Sequence, residues 1–201
     1  MPPVSSRRIL GLSLAIYLPM MATGVWVEPP GGFRPNSLAH FALGIAMAGA
    51  LGALTVAASR WTTRHTAWGR ALALEFSTLL EGIDSRTVLA LALLSAFGEE
   101  MLFRGVLHPR LGLLPTALLF AALHFPYRRA MWPWTAFALV AGILLAGLTE
   151  FSGALWPAIL LHFIINYFNL HDLVESNEDG GAPPHPGPQP PGPQPPSPPP
   201  L

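Results

Sequence analysis

Two adjacent carboxylates and an arginine lie inside a long apolar run, and this feature constrains the fold of the chain more than any other. Glu99, Glu100 and Arg104 fall within the apolar residues 88–107. Ionised groups at membrane depth are costly, so they face the interior of a helix bundle and mark functional sites. The chain must therefore bury these three side chains between helices.

Helical spacing predicts different roles for the two carboxylates. Glu100 and Arg104 are i,i+4 neighbours and can neutralise each other. Glu99 lies about 100° further round the helix and gains no partner from Arg104. Glu99 is therefore the carboxylate available for chemistry. A structural ion-pair cluster that ties helices together is the alternative interpretation of this stretch.

The composition is that of a membrane protein. Hydrophobic residues make up 51% of the 201 residues and charged residues only 11%, whereas soluble domains carry about 25% charged residues. A net charge of zero gives no indication of a nucleic-acid partner. The absence of cysteine excludes disulfides, a thiolate nucleophile and a cysteine-based metal site.

Six apolar stretches predict membrane-spanning helices, so we expect an all-α polytopic bundle in the lipid bilayer. They are residues 9–27, 38–58, 87–107, 113–125, 132–149 and 155–170, of which the fourth is short. A signal peptide is the alternative for the first stretch, but its apolar part is normally about 7–15 residues long. Residues 67–80 have the spacing of an amphipathic helix on the membrane surface.

The connections and the C-terminal part have a different composition. Residues 28–32, 108–112, 126–129 and 150–153 carry turn signals. After Ser176 the chain becomes acidic and then proline-rich, with twelve prolines in the last nineteen residues. We expect one transmembrane domain over residues 1–175 and a disordered tail over 176–201. An SH3-like ligand is the alternative to an inert tail.

The arginines predict the orientation of the bundle. Loops that carry an excess of basic residues face the cytoplasm. With six spans, Arg34 and Arg110 fall on one side, and eight arginines fall on the other: Arg7, Arg8, Arg60, Arg64, Arg70, Arg86, Arg128 and Arg129. Both termini are therefore expected in the cytoplasm.

Two later helices carry polar residues at the depth of Glu99. His124 ends the fourth stretch, and His162 and Asn166 share a helix face in the sixth. At 1.5 Å per residue, all four groups lie roughly 14–20 Å below the face that holds the turns near residues 112 and 153. Polar groups that share one depth in an apolar bundle have each other, or a water-filled cavity, as partners.

These groups suit the attack of water on a carbonyl carbon. Glu99 and an imidazole can share the deprotonation of a water molecule, and a second histidine and Asn166 can donate to the oxyanion. A zinc site with Glu99, His124 and His162 as ligands is the alternative. The usual helical zinc signature, His-Glu-x-x-His, is absent, and the spacing leaves both possibilities open.

Three motifs carry a family resemblance. They are Glu-Glu-x-x-x-Arg at residues 99–104, Phe-x-x-x-His at 120–124 and His-x-x-x-Asn at 162–166. In this order they resemble the CPBP family of intramembrane proteases, which includes the type II CAAX prenyl endopeptidases and bacteriocin-processing homologues. The resemblance covers about residues 88–168. It implies that Glu99 and His124 activate water.

The resemblance further implies that His162 and Asn166 form the oxyanion hole and that Glu100 and Arg104 support the site. Members of the family are described both as metalloproteases and as metal-independent enzymes, so zinc is the one cofactor left open. The expected substrate is a membrane-associated, prenylated or bacteriocin-like protein or peptide.

The use of arginine alone, together with many prolines, suggests a bacterium with a GC-rich genome, and hence its inner membrane. Prenylated CAAX proteins are not expected there as the native substrate. A non-catalytic membrane protein, such as a transporter or an assembly factor, is the alternative function for the same polar layer.

Overall fold

The computed structural model of the chain describes residues 5–27, 35, 37–125 and 129–178. The regular structure within these residues is entirely helical, which confirms the predicted all-α fold. The α-helices are α1 (Ser6–Val27), α2 (Leu38–His65), α3 (Ala67–Leu79), α4 (Ser85–Glu100), α5 (His108–Leu111), α6 (Leu113–Leu123), α7 (Trp132–Ser152) and α8 (Trp156–Glu178). A π-helical segment, Met101–Leu107, joins α4 to α5, and a 3₁₀ turn, Arg129–Met131, precedes α7.

The two turns predicted at residues 108–112 and 150–153 are shorter than expected. The chain stays helical through His108–Leu111 and through Ser152, and it turns at Gly112 and Gly153 with φ of +82° and +69°. Pro109 is compatible with the first turn of α5 because its missing N–H would be unpaired there in any case. The predicted turns were therefore wrong for residues 108–111 and 150–152, which are helical, and correct only for Gly112 and Gly153.

Some predictions concern residues outside the described part of the chain. These are the loop at residues 28–32, the turn residues 126–128 and the tail from residue 179 onward. The first residues of the predicted tail, 176–178, still belong to α8.

Three of the described helices, α1, α2 and α7, are long and apolar enough to cross a membrane, and α6 is apolar but short. Helix α4 has 16 residues before the π-helical segment begins, and α8 carries His162, Asn166 and Asp172 among its apolar residues. Large apolar side chains such as Trp26, Leu54 and Leu123 are exposed on the outside of the bundle, as expected for a surface in contact with lipid. The count of six spans stays a prediction.

Helix α8 lies at the centre, where it packs against α2, α4 and α7. Glycines permit the close approaches. A Cβ atom at Gly52 would lie 2.7 Å from Cγ2 of Ile164 on α8, and one at Gly98 would lie 2.9 Å from Cδ1 of Tyr17 on α1. Small residues at helix crossings are typical of membrane bundles, where packing drives association.

The start of α1 and the end of α8 lie at the same end of the bundle. Ser6 Oγ donates to the carbonyl oxygen of Gly82, just before α4, and Arg60 near the end of α2 pairs with Asp172 near the end of α8. Asp84 caps α4 by accepting the N–H of Thr87. The hydrogen bonds from Thr87 hold the pKa of the Asp84 carboxyl below its usual range.

Candidate active site

The acidic pair lies where α4 gives way to the π-helical segment Met101–Leu107. π-helical turns are rare and occur frequently at functional sites. Both carboxylates are buried: Glu100 has no exposed surface, and Glu99 has 7%. The local backbone therefore places both carboxylates inside the bundle, as the sequence predicted.

Glu100 and Arg104 form the expected ion pair. Arg104 Nη1 lies 2.9 Å from Glu100 Oε1, and both side chains are fully enclosed. Arg104 Nη2 donates to the carbonyl oxygen of Gly142 on α7 at 3.1 Å. The guanidinium also lies over the ring of Phe120 on α6, 4.5 Å from its centroid. Arg104 thus contacts two further helices besides its own.

His162 on α8 is held by the same carboxylate. Its Nδ1 lies 2.8 Å from Glu100 Oε1. A carboxylate oxygen only accepts, so Nδ1 carries the hydrogen in this contact and Nε2 of the neutral ring is an acceptor. That Nε2 atom faces Glu99 Oε2 at 3.9 Å. Glu100 therefore orients His162 towards Glu99.

His124 reaches the same carboxylate oxygen from the end of α6. At 11 residues, α6 rises about 17 Å, roughly half of a 30 Å hydrocarbon core, so its length alone would not carry it across such a core. Thr135 Oγ1 satisfies the carbonyl oxygen of His124 at 2.8 Å, as broken backbone at membrane depth requires.

The ring of His124 has the same tautomer as that of His162. Its Nδ1 donates to the carbonyl oxygen of Phe120 at 2.7 Å, so Nε2 of the neutral ring is again an acceptor. This Nε2 lies 3.8 Å from Glu99 Oε2. The His124 side chain is 19% exposed, against 7% for that of His162, so a substrate can approach it more easily.

Three acceptor atoms therefore converge: Glu99 Oε2 and the two Nε2 atoms. Glu99 Oε2 is buried and has no hydrogen-bond partner among the described residues. A buried unpaired carboxylate oxygen is costly, and the constellation is chemically suited to a group that donates, such as water, or to a cation.

The donor types are those of a zinc site, and both histidines are oriented through Nδ1 as zinc ligands usually are. Tetrahedral zinc at 2.0–2.1 Å would bring its ligand atoms to about 3.4 Å from one another, and Glu99 Oε2 lies 3.8 and 3.9 Å from the two Nε2 atoms. Within the described residues no three such side chains are placed to hold one ion. Bound water and zinc are nevertheless the two candidates for the position between these three side chains, and Glu99, His124 and His162 would hold the ion.

Asn166 lies one helical turn beyond His162. Its Nδ2 donates to Ser95 Oγ at 2.9 Å, and Ser95 is one turn before Glu99 on α4. The predicted polar layer thus brings Glu99, His124 and His162 together, and it places Asn166 in an adjacent pair with Ser95.

Two residues of the site were not predicted from the sequence. The hydroxyl of Tyr17 on α1 lies near the Glu99 carboxylate, and Ser95 accepts a hydrogen bond from Asn166. A tyrosine and a serine in apolar helices usually contribute only packing, and no spacing rule links residue 17 to residue 99. The one sequence signal near Glu99 is Gly98, whose missing side chain leaves room for the ring of Tyr17.

Comparison with known proteins supports the family resemblance of the sequence. Residues 84–168 match the family model described as type II CAAX prenyl endopeptidase Rce1-like, which confirms the resemblance in the sequence. The chain is also 46% identical over 81 residues to the uncharacterized protein YpbD of Bacillus subtilis (strain 168), a match that covers 39% of this chain and 41% of that protein. No solved structure matches the chain significantly.

Proposed function

We propose that this chain, whose residues 84–168 match the family model of the type II CAAX prenyl endopeptidase Rce1-like proteins, is an intramembrane endopeptidase acting on a membrane-associated protein or peptide. The observation that carries the proposal is the unpaired, buried Glu99 Oε2 facing two imidazole nitrogens. The family match supports a protease in general terms, and the residue roles below are our own assignment.

In the proposed reaction, a water molecule bound between Glu99 and His124 is the nucleophile. Glu99 or His124 Nε2 accepts a proton as the water oxygen bonds to the scissile carbonyl carbon. The tetrahedral intermediate then collapses, the C–N bond breaks, and the same proton passes to the leaving amine. The group that accepts the proton from water is thus the group that later donates it to the leaving amine, and either Glu99 or His124 can have this role.

The oxyanion of the intermediate needs hydrogen-bond donors. Asn166 Nδ2 has a second N–H beyond the one given to Ser95. His162 Nε2 carries a hydrogen only when the ring is protonated, and Glu100 is placed to stabilise that cation. We therefore assign the oxyanion hole to Asn166 and to the protonated form of His162.

The substrate class follows from the site's position among apolar helices. A peptide bond can reach it only from a segment that is itself held in or at the membrane. We further propose the inner membrane of a bacterium as the location, with both termini in the cytoplasm. The common end of α1 and α8 supports placing the two termini on one side.

The test compares membrane and secreted peptides, by quantitative proteomics, between wild-type cells and cells with Glu99→Gln. We expect one or a few membrane-associated substrates to lose their cleaved form in the variant. Glu81→Gln, an exposed glutamate in the turn before α4, is the control and should leave the pattern unchanged. Identical peptides in wild type and Glu99→Gln would instead favour a non-catalytic membrane protein.

A further inference from the structure

A groove of about 590 Å³ runs between α2 and α8, on a part of the bundle that includes none of the candidate catalytic residues. Its lining residues form an apolar stretch and a polar end. The apolar stretch consists of Gly49, Ala53, Val56, Ala57, Ile164 and Phe168, and the polar end of Arg60, Trp61, Arg64 and His65.

The apolar stretch is open because the two helices touch only locally. At Gly52 a Cβ atom would collide with Ile164, whereas one at Gly49 would meet nothing within 4 Å. From Gly49 to Arg64 the groove follows 15 residues of α2, or about 22 Å. A bilayer leaflet has a hydrocarbon depth of roughly 15 Å, so the groove can hold an acyl chain with its headgroup.

The polar end carries a cation that is not neutralised. Arg60 donates to both carboxylate oxygens of Asp172, at 2.6 and 2.8 Å, so Asp172 neutralises its charge. Arg64 is exposed, and the ion pairs found among the described residues give it no carboxylate partner. The charge of Arg64 is therefore available to an anion in the groove.

The neighbouring aromatic residues are placed as at a membrane interface. Trp61 is exposed, and the ring of His65 stacks on it with centroids 5.2 Å apart. His65 Nδ1 donates to the carbonyl oxygen of Trp61 at 2.8 Å, which leaves Nε2 directed outward. Tryptophan favours the headgroup level of the bilayer, so this end of the groove lies where lipid phosphates lie.

We propose that this groove binds an anionic phospholipid, with its phosphate on Arg64 and one acyl chain along Gly49, Ala53 and Phe168. Charge and shape agree along the groove: a guanidinium to which the described residues offer no carboxylate stands at the headgroup level above an apolar channel. Basic pockets between membrane helices are typical sites for anionic headgroups, and an arginine–phosphate contact is a strong charge-assisted hydrogen bond.

The experiment measures lipid retention by the purified full-length chain in detergent, using native mass spectrometry with added phosphatidylglycerol or phosphatidylcholine. We expect phosphatidylglycerol to be retained preferentially. Arg64→Gln should lower its retention about tenfold, the effect of losing one charged hydrogen bond. Ala53→Phe should also lower retention, because the ring would fill the channel. Arg8→Gln, which removes an exposed arginine outside the groove, should have no effect.

Further arms separate the possible outcomes. Arg64→Lys keeps the charge and should keep most of the binding, and circular dichroism of each variant checks that the helices form. Inorganic phosphate at equal concentration should not displace the lipid, because it lacks the acyl chain. Equal retention of the two lipids would overturn the proposal, and so would normal retention by a folded Ala53→Phe variant. Neither result bears on proteolysis.

Discussion

His162 Nδ1 lies 2.8 Å from Glu100 Oε1, the same oxygen that Arg104 contacts at 2.9 Å. The second glutamate of the pair therefore joins a structural arginine to an imidazole that faces Glu99. Because of this contact, the two glutamates can be separated by experiment: one acts on the water, and the other orients a ring and neutralises a buried cation.

Glu99→Gln should abolish cleavage and leave the fold intact. The amide keeps the shape of the side chain but cannot accept a proton from water. The measurement is cleavage of a membrane-reconstituted substrate, with thermal unfolding in detergent as the test of folding. Full activity in this variant would show that the free carboxylate has been assigned wrongly.

Glu100→Gln should lower both stability and activity. It leaves the buried Arg104 without a counter-charge, and breaking a buried pair costs about 3–5 kcal/mol. It also weakens the hold on His162 Nδ1. We expect a lower unfolding temperature and, in the folded fraction, slower cleavage. A variant as stable as wild type would contradict the role of Glu100 as the partner of Arg104.

Tyr17→Phe should slow cleavage without unfolding the protein. The hydroxyl lies near the Glu99 carboxylate, and losing a donor to a charged group costs up to about 1.5–3 kcal/mol, or roughly 10–100-fold in rate. Without the hydroxyl the Glu99 carboxylate is held less firmly for its contact with water, so we expect kcat to fall more than KM changes. Tyr167→Phe, which alters a tyrosine stacked on Phe163, is the control and should leave the rate of cleavage unchanged.

The sequence predicted the parts of the site that depend on helical spacing. The Glu100–Arg104 pair follows from i,i+4 geometry, and the meeting of Glu99 with His124 and His162 follows from equal depth on three helices. Asn166 was placed only to within a helical turn, because a depth estimate does not determine rotation about the helix axis. Tyr17 could not be predicted, since its contact with Glu99 depends on how α1 packs against Gly98. Residues 108–111 and 150–152 were predicted as turns because they are polar. In the structure they are helical, and His108 Nε2 forms a hydrogen bond of 3.0 Å with Glu150 Oε1.

The orientation of the bundle can be tested with reporter fusions. Fusions after Arg34 and after Arg128 should report opposite sides of the membrane, with Arg128 cytoplasmic. This follows from the eight arginines expected on one side and two on the other. The same side for both fusions would contradict the six-span arrangement.

The last prediction separates water activation by Glu99 and His124 from zinc catalysis. Both mechanisms need these two residues, so their loss decides nothing, and the comparison must use α8. Without a metal, His162 and Asn166 only stabilise the oxyanion, and losing one donor costs about 10²–10³ in rate while some turnover remains. With zinc, His162 would be a ligand, and His162→Ala would lose the ion and all activity.

We expect His162→Ala and Asn166→Ala each to retain measurable cleavage, and chelator-treated wild type to stay active. The absence of the His-Glu-x-x-His signature favours this outcome. Elemental analysis of the purified protein gives a readout that does not depend on activity. Stoichiometric zinc in the wild type and its loss in His162→Ala, with activity restored only by added zinc, would refute the metal-free mechanism, because neither follows if the imidazole merely donates to an oxyanion.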